Sequence, residues 1–156
     1  MALDPDALSL VTLAETIFDG VVAGYEQSGA TLPSRRYVTL GTPANDCEQM
    51  VVAWQQIYLG TPGDEASLPQ NCTAPKSAVF SVQVARNMPV VSPSGKAPEP
   101  KAIQTFSEAL LVDAYLLTDI LANIDPFGLG TIVTCEFVEV SGGLGCVGAQ
   151  VVLGVP

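Results

Sequence analysis

The order of segments read from the sequence constrains this chain more than any single motif: one helix, three strands, one long helix and two strands within 156 residues. Asp4-Pro5-Asp6 opens the first helix. An Asp caps free N–H groups, Pro suits the first helical position, and a second Asp complements the positive helix end. Leu10, Leu13, Ile17, Val21 and Tyr25 then recur at steps of three and four and form one apolar face, until Ser28-Gly29 ends the helix. Gly20 and Gly24 weaken its last turns and leave room for close approach of another backbone.

A short strand follows from Tyr37 to Gly41, then a turn, then a second strand from about Cys47 to Leu59. Strict alternation in the second strand sends Met50, Val52, Trp54 and Tyr58 to one face and Val51, Ala53, Ile57 and Leu59 to the other. Both sets are apolar, so this strand is expected to be covered on both sides. Helices supply one cover; a neighbouring subunit supplies the other, the alternatives being loop 60–76 folded back over the sheet or a strongly apolar strand left exposed. The third strand, 77–87, alternates Ala78, Phe80, Val82 and Val84 against Ser77, Ser81, Gln83 and Asn87. Between these strands, residues 60–76 carry Pro62, Gly63, Pro69 and Pro75, and 88–98 carry Pro89, Pro93 and Pro98. Structureless segments of this length in a small domain are often functional.

The long helix spans 99–124. Ile103, Phe106, Leu110, Ala114, Leu117, Leu121 and Ile124 make a near-heptad seam against the sheet, and Glu108, Asp113 and Asp119 are placed away from it. Val133, Cys135 and Phe137 face one side of the fourth strand, with Thr134, Glu136 and Val138 on the other. A turn at 141–145 leads into Val147, Ala149, Val151, Leu153 and Val155 on the fifth. The interspersed Gly148 and Gly154 mark either a close backbone approach or a twisted edge strand. The expected fold is α+β: a single two-layer αβββαββ domain over 1–156, its mainly antiparallel sheet covered by two helices, with loops 60–76 and 88–98 extending from it.

Composition narrows the function classes. Hydrophobic residues make up 48% of the chain and charged residues only 14%, about half the usual quarter. Such a surface is expected to be partly covered by copies of the chain or by partners. The net charge of −10 lacks the basic patch that tight DNA binding needs. An acidic surface that repels phosphate would instead let DNA slide past. No run of apolar residues is long enough for a membrane span, and the start lacks the basic region of a signal peptide. The chain is therefore expected in a cytoplasm, with its cysteines reduced. Cys47, Cys72, Cys135 and Cys146 match no zinc spacing, and a Cys47–Cys72 bridge is the main exception to a set of plain core or loop thiols.

Chemistry is sparse. There is no His, so a Ser or Cys nucleophile lacks its usual base. The glycine runs Gly128-Leu129-Gly130 and Gly142-Gly143-Leu144-Gly145 open no helix and precede no Gly-Lys-Ser/Thr, so neither is a phosphate loop. Asp64-Glu65 lie in a loop, and Glu136 and Glu139 fall on opposite faces of one strand, so neither pair forms an acid–base set. The expectation is a non-enzymatic assembly part without cofactor or metal.

The segments Thr42-Pro43-Ala44-Asn45-Asp46-Cys47-Glu48-Gln49, Tyr58-Leu59-Gly60-Thr61-Pro62-Gly63-Asp64 and Ser77-Ala78-Val79-Phe80 carry a family likeness. With the element order, the chain resembles the tail terminator proteins of long-tailed bacteriophages, closest to those of actinobacterial phages. The resemblance implies a homo-hexameric ring that caps the tail tube, ends its polymerisation and meets the head-side connector or stopper protein, while DNA passes through without specific binding. It places the protein at the top of the virion tail, after assembly in the host cytoplasm. Candidate interface residues are Trp54 and Tyr58 on the second strand, Asp64, Glu65, Leu68 and Pro69 in the first loop, and Val90 and Val91 in the second. Two alternatives are a different neck component and a small ligand-binding domain that uses the apolar sheet face.

Overall fold

The computed structural model describes residues 5–44, 46–64, 75–140 and 143–156. The elements are α1 (Pro5–Ser28), β1 (Arg36–Leu40), β2 (Gln49–Leu59), β3 (Lys76–Asn87), α2 (Pro100–Ala122), β4 (Thr131–Val140) and β5 (Leu144–Val155). They form an α+β two-layer domain. The five strands make one sheet in the order β1-β2-β3-β5-β4, antiparallel except for the parallel β1–β2 pair. The expected segment order and fold class are both observed.

Both helices lie on one face of the sheet. Leu13, Ile17, Val21 and Tyr25 of α1 and Leu110, Leu117 and Leu121 of α2 pack with Met50, Val52, Phe80, Val82, Val84, Val147, Val151 and Leu153. These strand residues sit opposite one another in register, so they share that face. Gly20 and Gly24 open α1 to a neighbour, though the neighbour is side chains and not backbone. A Cβ at Gly24 would collide with Ile120, and one at Gly20 would sit 3.2 Å from Ile124. Gly154 does meet backbone: a Cβ there would lie 2.6 Å from the Leu129 carbonyl oxygen. Its strand is interior, between β3 and β4, so the edge-strand reading of these glycines is corrected.

The parallel β1–β2 pair has an unusually short return, residues 41–48, where parallel connections commonly need a dozen or more residues. The return crosses the face opposite the helices. Gln49, which points to that face, donates from Nε2 to the Ala44 carbonyl and accepts from the Tyr37 hydroxyl. Pro43 in this return is buried, and Gln49 to Ala53 are buried throughout. The first half of β2 is therefore covered on both sides within one chain, by a return expected only as a turn; most of loop 60–76, the expected fold-back cover, lies outside the described residues.

The second half of β2 departs from simple alternation. Trp54 pairs with Phe80, but Gln56 pairs with Val79, so Gln55 is an extra residue and the strand carries a β-bulge. The bulge swaps every later side chain to the other face. Ile57 and Leu59 join the helix face, opposite Ala78 and Lys76, and Tyr58 moves to the opposite face with Ser77. The expectation that Trp54 and Tyr58 share a face is thus overturned.

Candidate interaction surfaces

Beyond the return that covers the first half of β2, the face opposite the helices is open and nearly uncharged. Across its centre run Gln55, Ser81, Gln83, Thr134, Glu136 and Gln150, around a hollow of about 330 Å³ floored by Gly148. Gln83 donates to the Ser81 hydroxyl at 3.2 Å. The glycine is what makes the hollow, because its missing side chain lowers the floor between Gln83 and Glu136. Glu136 is the one charged residue of this lining. An amide and hydroxyl surface can exchange hydrogen bonds with passing groups and holds no strong charge for phosphate to bind.

Exposed apolar side chains ring the sheet on all four sides. Val38 and Leu40 stand on edge strand β1, and Ile132, Phe137 and Val138 on edge strand β4. Leu40 is 80% exposed and Phe137 58%, values more typical of charged side chains. Ile57, Leu59 and Leu129 lie towards the end of the sheet where β2 passes into β3, and Val90 and Val91 follow β3 at the opposite end. A separate patch of Leu111, Val112 and Tyr115 covers the outer side of α2, beside Ala30.

The two loops singled out in the sequence leave opposite ends of the sheet. The first joins Leu59 to Lys76, which pair with each other at one end; the second starts after Asn87, which pairs with Leu144 at the other. Twelve residues of β3 separate them, about 40 Å of extended chain. Of the candidate interface residues, Asp64 is exposed and donates its N–H to Thr61 at 3.0 Å. Tyr58 is half-buried, and its hydroxyl donates to the Thr61 carbonyl and accepts from the Gly63 N–H. Trp54 is half-buried against Phe80, ring centres 4.4 Å apart. Val90 and Val91 are exposed. Glu65, Leu68 and Pro69 lie outside the described residues, as does Cys72 of the expected bridge. Cys47, Cys135 and Cys146 are free thiols. Burial pushes the Cys146 thiol up to about 11 and raises Cys135 as well.

The sequence reading missed one polar cluster. Asp113 is fully buried, not on the outer face of α2. It accepts from the Tyr25 hydroxyl at 2.9 Å and from both Nε and one terminal nitrogen of Arg86, the latter at 2.8 Å. Arg86 also donates to the Thr31 carbonyl at 2.8 Å. The cluster ties α1 and the turn after it to β3 and α2, and it leaves no buried side-chain polar atom unpartnered among the described residues. The signal was present: Asp113 sits three residues after Leu110 and four before Leu117, on the seam itself, and Arg86 has the parity of Val82 and Val84.

Burial and the neighbouring Asp113 charge both hold the Tyr25 hydroxyl well above the ordinary phenol value. Below pH about 10 this proton is bound in folded and unfolded chains alike, so it adds no pH dependence. Above that, only the unfolded chain ionises, and stability falls as pH rises. Denaturant midpoints between pH 8 and 11 should therefore drop more steeply for the natural chain than for Tyr25→Phe. Equal slopes would mean that Tyr25 ionises as freely in the fold as out of it.

No protein-family model matches the sequence, and no curated protein matches it. Among the described residues no helix is long and apolar enough to cross a membrane, and no three metal-ligating side chains cluster.

Proposed function

We propose that this chain is a structural part of a long-tailed bacteriophage, the tail terminator: a ring that caps the tail tube, ends its growth and joins the tail to the head-side connector, with DNA passing through. The observation that carries this reading is the placement of exposed apolar side chains on every side of one sheet, in a chain of net charge −10. Isolated exposed hydrophobics need no explanation, but their alignment along edges and ends marks contact surfaces. A ring subunit held between two partners needs four such sides. Two flanks meet copies of itself, one end meets the tube and the other meets the head. The sheet offers two open flanks, and its two long loops leave from opposite ends.

The open face suits the channel. Its lining of Gln, Ser and Thr with Glu136 as the one charge gives DNA phosphates nothing to hold, in keeping with passage without binding. This gives the channel an amide surface where the sequence alone suggested an acidic one. The same two-ended layout suits a connector or stopper ring of the same neck, and partner choice separates them: a terminator binds tail tube protein, a stopper binds head-side rings. Negative-stain images of the purified protein test the ring. Annular particles with a central hole are expected, and compact particles without one, alone and alongside tail tube protein, would remove the reading.

A further inference from the structure

We infer that copies of this chain join through their sheet edges, β1 of one copy pairing antiparallel with β4 of the next to continue the sheet. The inference rests on the ring reading for closure only; the pairing itself follows from the backbone. β1 and β4 are the two edges of the sheet. β1 is short and starts at Arg36, and β4 carries Glu136 and Glu139, but neither contains Lys or Pro and both expose large apolar side chains, Val38 and Leu40 on one and Ile132, Phe137 and Val138 on the other.

Strand direction fits. β1 runs parallel to β2, β3 opposes β2, β5 opposes β3 and β4 opposes β5, so β4 runs opposite to β1. Rotation about an axis along the strands preserves each strand's sense. It therefore brings β4 against the neighbour's β1 in the antiparallel arrangement, the more stable of the two per residue.

The hydrogen-bonding parity fits as well. The Arg35 carbonyl accepts from Met50 and the Gly41 N–H donates to Trp54, so odd residues of β1 bond inward to β2. Arg36, Val38 and Leu40 thus present their N–H and C=O groups outward. On the other edge the Gly154 N–H donates to the Gly130 carbonyl, in register with the β4–β5 pair, so even residues of β4 bond inward. Val133, Cys135 and Phe137 face outward. Both outward sets lie on the helix face, because Val38 pairs with Val52 and Phe137 with Val147. Residues that exchange hydrogen bonds across an antiparallel pair must share a face, and these do. Had the parities differed, no continuous sheet with all its helices on one side could form.

Side chains favour a particular match. Strand stagger in steps of two residues is the adjustment that closing a curved sheet requires. One such step sets Phe137 opposite Val38, beside a hollow of about 290 Å³ bounded by Phe18, Tyr37 and Val38, with Glu15 and Asp19 at its polar side.

Proline on an outward N–H tests the pairing without cutting the internal ladder. Val38→Pro and Phe137→Pro are each expected to give folded monomers where the natural chain assembles. Each retains one working edge, so an equimolar mixture should form a one-to-one dimer and nothing larger. Should either proline variant fold poorly, Val38→Lys and Phe137→Lys block the same edges from the side-chain side, with the same outcomes. Native mass spectrometry and circular dichroism read assembly and fold. Assembly unchanged in both variants would overturn the edge pairing and leave the ring reading standing. A dimer of Val38→Pro alone would replace it with β4–β4 pairing. A natural chain that is monomeric at every concentration, and stays so alongside tail tube protein, would overturn both.

Discussion

Asp113→Ala is expected to destabilise the fold by about 3–5 kcal/mol, because it strands the Arg86 guanidinium without its partner. The side chain of Arg86 is only 20% exposed and that of Asp113 1%, so water cannot replace the lost carboxylate well. The Tyr25 hydroxyl loses its acceptor in the same step. For a chain of this length each kcal/mol moves the melting temperature by about 2–4 °C, so calorimetry should show a fall of roughly 6–20 °C. The cost lies in breaking the cluster, not in lacking it. Replacing all three groups, with Tyr25→Phe, Arg86→Met and Asp113→Leu together, should recover most of the loss, since apolar replacements of a buried ion pair are often neutral. A small effect of Asp113→Ala, under about 0.5 kcal/mol and in the range of ordinary surface changes, would show that Arg86 finds another partner.

Phe80→Ala should cost a similar amount, about 3–5 kcal/mol, for a different reason. Phe80 is fully buried at the centre of the sheet, between Trp54 on β2 and Val151 on β5, beneath both helices. Removing its ring leaves a cavity that rigid strands on both sides cannot close, and it strips Trp54 of its ring contact. The midpoint of denaturant unfolding should fall while its slope stays constant. Since domains are stable by about 5–15 kcal/mol, either substitution alone removes a large share of the margin. A slope that falls with the midpoint would point to a loosened native core in place of a simple cavity.

The fold was legible where one physical rule acted alone. α1 declares itself by its start, its periodicity and its Gly29 stop, where φ is +73°. β3 and β5 declare themselves by alternation, because each has a helix face and an open face. The reading failed where two rules competed. Alternation in β2 holds to Trp54, and then the polar pair Gln55-Gln56 absorbs a bulge that no periodicity count contains. That one residue decides which of Tyr58 and Ile57 looks at the helices. Asp113 was misplaced because charge was taken as a sign of exposure, though its spacing put it on the buried seam. The exposed apolar positions were only partly legible. Loop composition singled out Val90, Val91 and Asp64, which are exposed, whereas Val38, Leu40 and Phe137 read as ordinary strand residues. Their significance depends on the sheet order, which local pattern does not encode, since it makes β1 and β4 the edges.

Native mass spectrometry of the purified chain across a concentration series tests head-to-tail ring assembly most directly. A closed ring predicts one dominant species at a fixed multiple of the 16.2 kDa chain, about six copies for the proposed tail terminator, with no ladder of larger forms. A strict monomer at every concentration, remaining so when mixed with tail tube protein, would contradict it.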